Sequence, residues 1–62
     1  MDKTPEELRL INEIEALHDE LRKLDVYPER IPFSKLGVEG LEIELDAVGE
    51  QLKTRKRFLG VN

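Results

Sequence analysis

The chain has no cysteine and no tryptophan, one histidine, one tyrosine and two phenylalanines among its 62 residues. Without cysteine, neither disulfides nor thiolate metal sites can brace it. This fits a reducing, cytoplasmic setting. No apolar run approaches the roughly 20 residues a bilayer demands, so no membrane partner is expected. The opening Met1-Asp2-Lys3-Thr4-Pro5-Glu6-Glu7 is acidic and polar, unlike a secretory leader. Nucleophilic catalysis has almost no material: the only serine is Ser34, in a loop, and His18 has no obvious partner. Gly37-Val38-Glu39-Gly40 lacks the lysine and hydroxyl of a phosphate-binding loop. A non-enzymatic protein without cofactor is the expectation.

What is present is charge and leucine. Charged residues make up 39% of the chain and apolar residues another 39%. All fourteen acids fall in residues 1–52 with six bases, a charge of −8, whereas residues 53–62 carry four bases and no acid. The net −4 therefore conceals a basic tail, Lys53-Thr54-Arg55-Lys56-Arg57. One domain over 1–62 is the most such a length allows. Chains this short bury only about 60% of the surface they expose unfolded, so a partner chain is the expected supplement.

Thr4-Pro5-Glu6-Glu7 reads as a capping box, with Thr4 at N-cap, Pro5 at N1 and Glu7 reaching back from N3. Leu10, Ile14, Leu17, Leu21 and Leu24 follow at spacings of four, three, four and three, with Ile14 and Leu21 at a and the others at d. This predicts a helix over about 5–24. A second series, Leu41, Leu45, Val48, Leu52, Arg55 and Leu59, predicts a helix over about 40–58, ended by Gly60. Leu41–Asp46 alternates like a strand, but the longer window favours the helix. Between them, about 25–39, Pro28, Pro32, Gly37 and Gly40 indicate an irregular connection, with Ser34 placed to cap a single turn at 35–37.

The expected architecture is all-α: an antiparallel two-helix hairpin dimerising into a four-helix bundle. Its oligomer seam is Leu10, Ile14, Leu17, Leu21, Leu24, Leu41, Leu45, Val48 and Leu52. Antiparallel register pairs Leu24 with Leu41 and Leu10 with Arg55, and sets Glu6 and Glu7 beside the basic tail.

Glu15-Ala16-Leu17-His18 matches the Glu-x-x-His pattern of di-iron bundles. With Ile14 and Leu17 inward, however, Glu15 falls at b and His18 at e, so His18 is expected on the surface and no metal is expected. The tail bases Lys53, Arg55, Lys56 and Arg57 suit helix capping better than nucleic-acid binding, because the rest of the chain repels phosphate. Tyr27, Ile31 and Phe33 lie in the proline-broken connection and are good material for docking on a protein partner. The competing role for that segment is to plug the hairpin's open end.

Leu41-Glu42-Ile43-Glu44-Leu45-Asp46-Ala47-Val48 distantly resembles the second-helix motif of the sporulation-regulating aspartyl-phosphate phosphatases, which are short acidic helical hairpins acting on response regulators. That motif reads Ser-Gln-x-Leu-Asp. Leu45-Asp46 match it, while Glu42 and Ile43 stand where Ser and Gln belong, and the resemblance spans about one eighth of the chain. It implies a phosphatase role for Asp46 and makes Asp46 a candidate partner-binding residue.

The leading functional expectation is a small interaction module that self-associates as a homodimer or higher oligomer and regulates a larger protein. The alternatives are an assembly subunit of a virion or complex, the phosphatase, and a weak nucleic-acid binder acting through the tail.

Overall fold

A computed structural model describes residues 3–60. Met1 and Asp2 of the leader reading, and the last two residues of the 1–62 domain, lie outside them. Two helices, α1 (Pro5–Lys23) and α2 (Val38–Leu59), pack against each other, and the described residues contain no strand.

Local chemistry accounts for the ends of α1. Thr4 accepts a hydrogen bond from the Glu7 backbone N–H through its hydroxyl (3.2 Å), and the Glu7 carboxylate accepts one from the Thr4 N–H (3.0 Å). The C-terminus closes on a Schellman motif. The Asp25 N–H donates to the Arg22 carbonyl (3.0 Å) and the Val26 N–H to the Leu21 carbonyl (2.9 Å). Asp25 holds the left-handed position, φ 63°, usually given to glycine. Val26 packs against the core cluster that contains Leu21, which is the apolar contact this motif favours.

Helix α2 begins at Val38, two residues before the expected start. Gly37 is its N-cap, and the Leu41 N–H donates to the Gly37 carbonyl (2.9 Å). Gly40 therefore lies inside the first turn, where its missing Cβ leaves room for Leu36: a Cβ there would sit 3.0 Å from Leu36 Cδ2. At the far end Gly60 takes φ 74° and terminates the helix, as its position after the last apolar residue predicts.

The helices run parallel, which corrects the antiparallel hairpin. Lys3 Nζ, at the start of α1, donates to the Leu36 carbonyl at the start of α2 (2.7 Å). Arg55 Nε, near the end of α2, donates to the Leu24 carbonyl at the end of α1 (3.4 Å). Both pairs share an offset of just over thirty residues, so the register is uniform along the pair. Leu10 consequently lies beside Glu42 and Leu45, not Arg55, and the basic tail lies at the end of α1, away from Glu6 and Glu7.

Residues 24–37 make this possible by running back along the pair. Nineteen helical residues span about 28 Å at 1.5 Å per residue, within reach of an extended segment of that length. The proline-broken backbone of this return segment makes an inverse γ-turn at Pro32 (φ −78°, ψ 72°), closed by the Phe33 N–H on the Ile31 carbonyl (2.8 Å). A 3₁₀ turn follows at Phe33–Lys35, with Pro32 rather than Ser34 at its N-cap, two residues before the expected turn. Val26, Ile31, Phe33 and Leu36 all pack on the helices. The segment is thus a strap along the side of the pair, not a plug at one end.

The core is Leu10, Ile14, Leu21, Leu41, Val48 and Leu52. Leu17, Leu24 and Leu45 are half-buried at its edge.

Candidate interaction surface

The buried row of α1 is Leu10, Ile14, His18 and Leu21, so the inward face is turned from the expected a/d seam toward the e flank. His18 retains only 7% exposure, which corrects the expectation of a surface histidine. The cause is the strap: Pro28, Ile31 and Phe33 close over the flank that a two-helix hairpin would leave wet. His18 Nε2 is the one buried side-chain nitrogen or oxygen without a hydrogen-bond partner among the described residues. Glu15, the other half of the di-iron pattern, is exposed, and the described residues contain no group of three or more ligands placed to hold a metal ion.

The strap leaves two crevices at His18. One, about 410 Å³, lies between α1 and the strap beside Glu15, Asp19 and Arg22. The other, about 290 Å³, lies toward Glu44 and Gln51 of α2. Arg22 is already held by Asp19 at 2.7 Å.

The opposite face has no strap. Arg9 and His18 are nine residues apart, two and a half turns, and therefore lie on opposite sides of α1; Glu42 and Gln51 stand in the same relation on α2. Arg9, Leu10, Glu42, Leu45 and Asp46 line an open groove of about 740 Å³ on this uncovered face. Asp46 is exposed here.

A third surface lies near the C-terminal ends of the helices. Val26, Ala47, Thr54, Arg55 and Phe58 line an open, mainly apolar groove of about 440 Å³. Phe58 is 78% exposed, and the Arg55 guanidinium sits 5.6 Å from its ring centroid. Tyr27, next in the chain after Val26, is 73% exposed.

No family model, curated protein or solved structure matches the chain.

The structure therefore separates the candidate residues. Tyr27 is on the surface, Ile31 and Phe33 are half-buried against the core, and Asp46 faces the uncovered groove. Phe58, next to the bases, reads in the sequence as part of a helix end and not as a contact residue. Its signal was the period: Phe58 lies four residues from Thr54 and seven from Gln51, on the row that borders Val26.

Charge is polarised along the molecule. Glu6, Glu7, Glu39 and Glu42 outnumber Lys3, Arg9 and Lys35 at the end where both helices begin, and Arg22, Lys23, Lys53, Arg55, Lys56 and Arg57 outnumber Asp19, Glu20 and Asp25 at the end where both finish. Two parallel helix dipoles reinforce each other at both ends, and the charge in excess opposes them at each. The Glu7 carboxyl is held below the ordinary glutamate range, first by the Thr4 backbone N–H, then by the Thr4 hydroxyl, with a smaller contribution from Lys3 at 3.7 Å.

Proposed function

We propose that the chain is a small, non-enzymatic protein-interaction module that self-associates and docks on a larger protein. The observation that carries the docking half is Phe58, largely exposed on the apolar groove it lines with Val26 and Ala47, together with the equally exposed Tyr27, next in the chain after Val26. Large aromatics left in water supply interface area at low entropic cost, and they are frequent anchors of binding energy. The groove is lined by one base, Arg55, and one acid, Glu50. The partner this favours presents an apolar side chain to the groove, with a carboxylate toward Arg55 and a donor toward Glu50.

Self-association is supported by size and by unfinished burial. Six apolar side chains form the core, while Leu17, Leu24 and Leu45 are only half covered. The phosphatase and nucleic-acid readings would use Asp46 and the basic end respectively, and both are outcomes of the same experiment.

That experiment is affinity capture from the native host with the wild-type chain and with Tyr27→Ala and Phe58→Ala. Neither ring is in the core, so both variants should melt as the wild type does. The reading expects one protein enriched by the wild type and lost, ten-fold or more, in both variants. Equal capture by all three chains would remove the groove from the partner site. Enrichment of nucleic acid or of a response regulator would replace this reading with the corresponding alternative.

A further inference from the structure

We infer that the uncovered face of the α1–α2 pair binds a second copy of this chain, and that the two copies lie antiparallel. This rests on the self-association reading and adds the face and the orientation to it.

The face follows from what the strap covers. The strap lies along the His18 side, and the Arg9 and Leu45 side is left open. Leu10, Leu17 and Leu24 recur every seven residues along that edge of α1, and Leu45 and Leu52 do the same on α2. Leu17, Leu24 and Leu45 keep accessible surface after the monomer has folded. They form a leucine-lined flank that the strap does not cover. The molecule is 42 Å long and about 16 Å wide, so one flank has the dimensions of a standard protein interface, about 800 Å² per partner.

The orientation follows from charge. Glu6 and Glu13 border the leucine row of α1, and Glu42 and Asp46 border Leu45, outnumbering Arg9 in the first two thirds of the helices, while Glu20 is the acid of this flank near the other end. Lys53 and Lys56 border Leu52 near the other end. A parallel second copy would place each acidic cluster on its own duplicate and each lysine pair on its own duplicate. An antiparallel copy packs α1 on α1 and α2 on α2, and so places Glu42 level with the partner's Lys53, Arg9 with the partner's Glu20 and Glu6 with the partner's Lys23. The two-fold axis then crosses the molecule near Glu13, at mid-length. Such an isologous contact completes the burial of Leu17, Leu24 and Leu45 and closes on itself as a four-helix bundle.

The test combines mass with orientation. Because the chain has no cysteine, single nitroxide labels can be placed at Glu6→Cys, Glu13→Cys, Arg30→Cys or Arg57→Cys, all exposed positions. Sedimentation equilibrium should show a dimer at micromolar concentration that weakens with added salt. Within it, labels at Glu13 should lie about 20 Å apart or less, two helix diameters. Labels at Glu6, and separately at Arg57, should lie at roughly twice that distance. Lys53→Glu with Lys56→Glu should weaken the dimer ten-fold or more at low salt without lowering helicity.

A monomer at every concentration would overturn both the self-association reading and this inference. A dimer with Glu6 labels close to each other would overturn the antiparallel orientation alone. Arg30 labels closer together than Glu13 labels would move the interface to the strap side, and the face assignment would fail.

Discussion

Asp25 is a residue whose replacement should help. It holds φ 63° at the C-terminus of α1, where a Cβ is strained and a negative charge opposes the helix dipole. Asp25→Gly relieves both and should raise stability by about 1 kcal/mol, read as a higher urea midpoint at unchanged slope. His18 is the second such position. Its Nε2 is buried without a partner, so His18→Leu should stabilise by about 1–2 kcal/mol in the same titration. A loss there would mean that a bound water or ligand satisfies the imidazole. Glu7 contributes a pH dependence on the acid side. Its folded-state pKa is depressed, so the stability it adds is complete above the ordinary glutamate range and is lost as pH falls through the lowered value. Glu7→Gln keeps a capping side chain but cannot ionise, and it should flatten the acid limb of stability against pH.

The elements divide cleanly into those written locally and those that are not. Helix α1 begins at the capping box read from four consecutive residues, and α2 ends at Gly60 for an equally local reason. The early start of α2 was hidden because Gly37 and Gly40 carry a low helix propensity, and the fit of Leu36 against the bare Gly40 backbone outweighs it. The mutual direction of the helices is directly measurable. Nitroxides at Lys23→Cys and Thr54→Cys of one chain, diluted with unlabelled chain, should lie within about 20 Å, as expected for adjacent ends of a parallel pair. An antiparallel hairpin with Leu24 beside Leu41 would separate those sites by about twelve residues, about 18 Å along the axis alone, and so by more than 20 Å in all.

For the whole molecule, monomer stability and association should respond to different leucines. Ile14→Ala or Leu21→Ala empties a fully buried position and should cost about 2–5 kcal/mol, enough to unfold most chains of this size. Leu17→Ala removes a side chain that is half covered. Its effect on melting should be smaller at low concentration and should grow with concentration as the dimer populates, which a dilution series of thermal melts would reveal.

The two helices, the capping box of α1 and the Gly60 end of α2 belong to the sequence alone, because each depends on residues within one or two turns, whereas the inward turn of α1 toward His18 depends on the strap. The direction of pairing does not belong to the sequence alone either. A heptad row has the same spacing read upward or downward, so Leu10 to Leu24 and Leu41 to Leu52 fit either way. The connection is long enough for both arrangements. What decides is the connection's own apolar content: Val26, Ile31, Phe33 and Leu36 need a surface, and only a segment running the length of the pair gives all four one. That choice makes the helices parallel, buries His18, leaves Tyr27 and Phe58 in water, and puts acids in excess at one end and bases at the other.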